Sequence, residues 1–214
     1  MLQMVLLSEA TVPLMELALW HGEHSDAQRL ADRTSNFLSP YPTEPQLVRL
    51  ARLQGQVALA LGDLDRADER LHDALTRARA FNAVAEELAA ATAVASLHHR
   101  RGDTLRAREH LDAGWDAVER GPYPLIHADA RNVLAEIEIA EKNIPAANAA
   151  ATAAYRLAWC DGPPFAYDYG LRTARAHLHA LGAPEPEMPP YDASKHEPIE
   201  EIDIHIDIDG EQAQ

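Results

Sequence analysis

TEPQLVRLARLQGQVALALGDLDRADERLHDALTRARA, residues 43–80, decides the reading of this chain because it folds back on itself at Leu61-Gly62-Asp63. Before the turn Leu50, Leu53, Val57 and Leu61 recur at helical spacing, and after it Leu64, Ala67, Leu71, Ala74 and Ala78 do the same. Each half is therefore a helix with one apolar stripe, and two such stripes in succession make a helical hairpin. Thr43 is placed to cap the first helix, with Gln46 three residues on and Pro45 in the first turn. Asp63 is placed to accept the free amides that open the second helix.

The neighbours repeat this unit. Counting from Gly62, Gly22 stands forty residues earlier and Gly102, Lys142 and Gly182 come after it at the same step, which is the mark of a repeat architecture. Five residues after the first four markers come Ala27, Ala67, Ala107 and Ala147, where a small side chain lets two helices approach closely. Nine after come Ala31, Leu71, Leu111 and Ala151, and twelve after come Thr34, Ala74, Gly114 and Ala154. Thr34 in this register is expected to tolerate a larger side chain better than Ala67 or Ala107 does.

With Gly55 as the small residue before the turn, then GDxxxA, a large apolar residue and a second alanine, the chain resembles the tetratricopeptide repeat family. GDLDRA and GDTLRA match best, and LGDLDRADERLHDAL carries most of the likeness. The family unit is shorter, and about six extra residues per repeat lengthen each helix by somewhat under one turn at roughly 3.6 residues per turn. Family aromatics are missing around Ala51 and Ala58, and Lys142-Asn143-Ile144-Pro145 replaces the glycine turn. A longer unit of this kind also resembles the sensor arrays of large bacterial signalling ATPases of the NACHT and related (STAND) classes. That likeness covers residues 44 to 198 and leans on AWCDGPPFAYDYGLRTARAHLHALGAPEPEMPP, residues 158–190, which looks like the closing repeat of such arrays.

Composition bounds the rest. At 214 residues with 47% hydrophobic content, forty alanines and a net charge of −15, the chain reads as one mostly helical unit whose charge repels nucleic acid and anionic membrane surfaces. MLQMVLL at the start is apolar but lacks a basic flank, and Glu9 and Glu16 interrupt the residues after it, so neither a signal peptide nor a membrane span is expected. A single cysteine forms no internal disulfide, which fits a reducing cytoplasm.

In order, helices are expected at 4–21, 25–38, 44–61, 64–80, 83–101, 104–119, 125–141, 144–159 and 165–181, with Thr11 a possible cap in the first. SPYPTEP at 39–45 and RGPYP at 120–124 punctuate them. Residues 1–183 form the array and 184–214 a tail, whose prolines and ten acidic residues against Lys195 alone mark a change of composition. The tail's Ile202, Ile204, Ile206 and Ile208 alternate as in a strand. Docking on the last helix, pairing elsewhere and disorder all fit it.

Candidate chemistry fails on spacing. His21-Gly22-Glu23-His24 lacks the order that sets two ligands and a base on one helical turn. His98-His99-Arg100 at a helix end reads as cations suiting the helix dipole. DIHIDIDG ends before the glutamate that a calcium loop requires. Cys160 has no nucleophile signature and reads as a small buried hydrophobe. Phosphate-binding glycine loops are absent, so no active site, cofactor or metal is expected. Trp159, Phe165, Tyr167 and Tyr169 surround Pro163-Pro164, either as a ligand pocket or, the favoured reading, as the seam between the fourth helical pair and the closing helix.

What remains is a binding surface. A helical solenoid makes a concave face lined mainly by the first helix of each pair. In tetratricopeptide domains that grip acidic peptide ends, a basic and an amide side chain four residues apart do the gripping. Carried over by distance from each marker, the resemblance implies Arg52 with Gln56, Thr92 with Ser96, Asn132 with Glu136, and Arg172 with Ala176; Arg49 and His99 complete the candidate set. Arg52 and Gln56 are expected to be exposed to ligand. The expectation is an all-α, right-handed superhelix of antiparallel helical hairpins with an acidic extended tail. It would be a non-enzymatic module binding protein or peptide, with a nucleotide-binding domain as a possible partner in the same full-length protein. A freestanding adaptor or oligomerisation scaffold is the alternative.

Overall fold

The computed structural model describes residues 2–38 and 44–195, whose regular structure is helical throughout. Nine α-helices succeed one another: α1 Leu2–Trp20, α2 His24–Leu38, α3 Glu44–Leu61, α4 Leu64–Ala80, α5 Val84–Arg100, α6 Thr104–Arg120, α7 Pro124–Ala140, α8 Ile144–Trp159 and α9 Asp168–Ala180. A single 3-10 turn, Ala193–Lys195, closes the described chain.

The turn markers play the part the repeat assigns them. Gly22, Gly62, Gly102, Lys142 and Gly182 all sit at positive φ, between +60° and +83°. The amide of the next residue then reaches back along the helix, from Asp63 to Ala58 O at 2.9 Å, from Asp103 to His98 O at 2.9 Å and from Asn143 to Glu138 O at 2.9 Å. This is the bond that closes a helix on a left-handed residue. Asn82, at φ +52°, ends α4 in the same way, with Ala83 N bonded to Ala78 O at 2.9 Å. Gly162 is also left-handed, so among the described residues from 62 onward left-handed turn positions recur in steps of twenty, with Pro122 the exception. After two of these turns an aspartate caps the next helix: Asp63 accepts from Arg66 N and Asp103 from Arg106 N, each at 3.1 Å.

Successive helices pack in pairs, α1 on α2, α3 on α4, α5 on α6 and α7 on α8, with α9 on both α7 and α8. Odd-numbered helices also pack on one another in sequence, forming an inner layer with the even-numbered ones behind. The alanines five residues past the markers, Ala27, Ala67, Ala107 and Ala147, are all fully buried at these crossings. Gly55 shows how tight the crossings are: a Cβ there would lie 2.5 Å from Leu71 Cγ.

Several expectations need correction. Thr11 caps nothing, because α1 runs through it and its hydroxyl pairs with Thr34 Oγ1 at 2.8 Å. Thr34 is itself fully buried and bonds Leu30 O as well, so it is no roomy position. Cys160 is exposed, since it stands at φ +51° where the chain leaves α8.

The first part of the acidic segment docks rather than trailing away. Glu185 accepts from Tyr155 Oη and Arg175 Nε at 2.7 Å each, and Pro189 O accepts from Trp159 Nε1 at 2.9 Å. Tyr191 meets Phe165 with ring centroids 4.9 Å apart. The alternating isoleucines, Thr43 and most of the 39–45 connection lie outside the described residues.

Candidate functional site

The inner layer surrounds a chamber of about 520 Å³. Its ends meet: Trp20, the last residue of α1, stacks on Tyr169 of α9 at 5.9 Å and stands edge-on to Tyr167 at 5.4 Å. Arg172 Nη2 donates to Trp20 O at 2.9 Å across 152 residues of sequence. The chamber wall therefore runs from the first helix to the last.

Six of the eight candidate residues, Arg49, Arg52, Gln56, Thr92, Ser96 and Asn132, line this one chamber, while His99 and Arg172 do not. Arg52 departs most from expectation. It is only 8% exposed, because its guanidinium is fully engaged within the protein. Nη2 meets Glu16 at 2.9 Å, Nε meets Glu86 at 3.3 Å and Nη1 donates to Gln56 at 2.9 Å. Arg49 shares Glu86 at 3.5 Å. Arg52 is thus a tie between α1, α3 and α5, and the pair it makes with Gln56 grips itself rather than a peptide carboxylate. Thr92 gives its hydroxyl proton to Leu88 O within its own helix. Arg172 is spent on Trp20 and on Asp168, 2.8 Å away.

Among the described residues lining the chamber, the one buried side-chain atom left unsatisfied is an acceptor. Asn132, 4% exposed, donates through Nδ2 to Gly170 O at 3.1 Å, which leaves its buried Oδ1 without a partner. One turn earlier, Asp129 accepts from Tyr167 Oη at 3.1 and 3.2 Å. Burial pushes its carboxyl up to about 7, against the opposing hydrogen bond from Tyr167 and the field of Arg52. Burial also raises Glu136, with Arg100 opposing. Gly170 is what lets this corner close, since a Cβ there would fall 2.6 Å from the Tyr167 ring.

Asp129 and Tyr169 were within reach of the sequence. Forty residues on from Arg49 come Ala89, Asp129 and Tyr169, and all four line the chamber. That register preserves position and not chemistry, which hides it from a search for basic and amide pairs. The aromatic group divides: Tyr167 and Tyr169 face the chamber, whereas Trp159 stacks on Tyr155 at 6.0 Å and Phe165 packs on Tyr191.

Helices and chamber together make this an all-helical array of packed adjacent pairs around a cavity with both polar and apolar lining. Compared with protein-family models, curated proteins and solved structures, the chain matches none. No helix among the described residues is long and apolar enough to cross a membrane.

Proposed function

We propose that the chain is a non-catalytic recognition module that takes a segment of protein or peptide into the chamber, and that the segment presents a cation there. A lysine or arginine side chain or a free α-amino group supplies the right chemistry. Asp129 carries the reading: a deep carboxyl held up to about 7 is stabilised by any cation brought beside it. Its nearest counter-charge, Arg52, is already shared between Glu16 and Glu86. Asn132 Oδ1 and the raised Glu136 add acceptors that a cationic donor satisfies.

The repeat register and the buried alanine at each crossing support a right-handed superhelix of antiparallel hairpins of the tetratricopeptide type. On that reading the array serves as the sensor of a larger bacterial signalling ATPase, working in the cytoplasm, with a nucleotide-binding domain in the same protein. The net charge of −15 argues against nucleic acid or an anionic membrane as the partner.

A peptide array probed with the full chain tests the ligand class. Peptides carrying Lys, Arg or a free amino terminus should be retained, and Asp129→Asn with Glu136→Gln should lose them. Retention of acidic peptides, or basic peptides held equally by the double variant, would overturn the proposal.

A further inference from the structure

Outside the chamber, three histidines from three helices converge. His72 on α4, His98 on α5 and His110 on α6 each place a ring nitrogen within 4.8 Å of the others. His98 is 5% exposed, and its ring lies nearly parallel to that of His110, with centroids 5.2 Å apart. His72 stands edge-on to both, at 6.2 and 6.1 Å.

We propose that His72, His98 and His110 bind a divalent transition metal of the zinc class through one imidazole nitrogen each. A tetrahedral ion with nitrogens at about 2.0–2.1 Å holds imidazole centroids about 3.2 Å from itself and hence about 5.2 Å from one another. His98 and His110 already have that separation. His72 needs to close by roughly 1 Å to match it, and its side chain, 45% exposed, is the most exposed of the three.

The surroundings favour an ion in the same way. His72 Nδ1 lies 2.7 Å from Asp68 Oδ1, which leaves Nε2 for the metal. Asp68 is in turn held by Arg101 at 2.9 Å. A carboxylate behind a ligating imidazole fixes its tautomer and strengthens it as a base. Asp103 faces His98, and Arg79 and Arg106 stand further round the cluster. Three imidazoles select zinc, copper or nickel over magnesium or calcium, and the half-exposed side at His72 leaves a fourth position to water. Bound there, the ion staples α4, α5 and α6 and joins the second helical pair to the third.

Calorimetric titration of the chelator-stripped full chain with Zn²⁺ tests the site, with circular dichroism confirming the fold of each variant. The expected result is a single equivalent bound at micromolar affinity or tighter, with a raised melting temperature. Asp68→Asn should weaken binding by roughly tenfold, and His72→Gln and His110→Gln, at the two less buried positions, should weaken it further. His179→Gln, at an exposed position of α9, should change nothing. Failure to bind Zn²⁺, or binding that survives His72→Gln and His110→Gln or weakens equally in His179→Gln, would overturn the site.

Discussion

Arg101 and Asp68, thirty-three residues apart, pair at 2.9 Å, and forty residues on Glu141 and Arg108 hold the same two places with the charges exchanged. Each pair ties the end of an inner helix to the opening turns of the outer helix in the preceding unit. A slip of one unit would set Arg101 against Arg108 and Glu141 against Asp68, so the exchange of sign opposes misregistry. Arg101→Asp should therefore destabilise the array and adding Asp68→Arg should restore part of the loss. At half-exposed positions a coupling of about 0.5 kcal/mol is expected from a denaturant double-mutant cycle run with chelator present.

Ala67→Leu and Ala107→Leu should each cost on the order of 1–3 kcal/mol, since both alanines are fully buried at helix crossings. Thr34→Leu should cost at least as much. It overfills a closed site and also leaves Thr11 without the hydroxyl that reaches it at 2.8 Å. Thermal unfolding of the three variants checks the order, and a mild Thr34→Leu would mean that the α1–α2 crossing is looser than the structure has it.

Helix positions were legible because the stripes and turn residues agree. For 44–61, 64–80 and 144–159 the expected and observed bounds coincide, and elsewhere they differ by up to three residues. The chamber was half legible, since the forty-residue step brings Arg49, Arg52, Gln56, Thr92, Ser96 and Asn132 to one wall. The partners of Arg52 were not, because Glu16 and Glu86 lie 36 and 34 residues away on other helices and no local pattern joins them. The convergence of His72, His98 and His110 escaped for the same reason, each holding a different place in its own repeat.

Lys142 occupies the turn position that glycine fills in the other units, at φ +60°. A side chain there crowds the next carbonyl at a cost of roughly 1 kcal/mol. The residue is exposed, and among the described residues no side-chain bond of Lys142 offsets this. Lys142→Gly should raise stability by about 0.5–1 kcal/mol, less the extra entropy of the unfolded glycine. Chemical denaturation measures it, and a loss of stability would show that Lys142 contributes something beyond its backbone.

Arg52→Glu should damage the fold before it reports on any ligand. Removing the guanidinium strands Glu16 and leaves Glu86 to Arg49 alone, and a third carboxylate would repel both. Breaking a buried pair in this way costs on the order of 3 kcal/mol. Helical content and melting temperature should both fall, against the simpler expectation of a folded variant that no longer binds. Unchanged melting would mean that water screens this cluster far more than its burial implies.

Asp129→Asn should separate stability from recognition through pH. In the folded chain burial holds Asp129 at about 7, whereas unfolded it returns to 3.8, so between those values the folded state binds more protons. Stability from this group is complete below 3.8 and is lost as pH rises to about 7. The asparagine, still able to accept from Tyr167, has no such loss. Its melting temperature should match the parent near pH 4 and exceed it increasingly towards pH 8. Asp129 is partly open to the chamber, so solvent reduces the effect to about 1–2 kcal/mol from the roughly 4 that a shift of this size carries at full burial. A cationic ligand reverses the sign: it needs the carboxylate charged, so the parent's affinity should climb with pH until about 7 and then level, while the variant binds weakly throughout. Melting curves that stay parallel across this range, or a ligand whose affinity falls as pH rises, would remove Asp129 from the centre of the site.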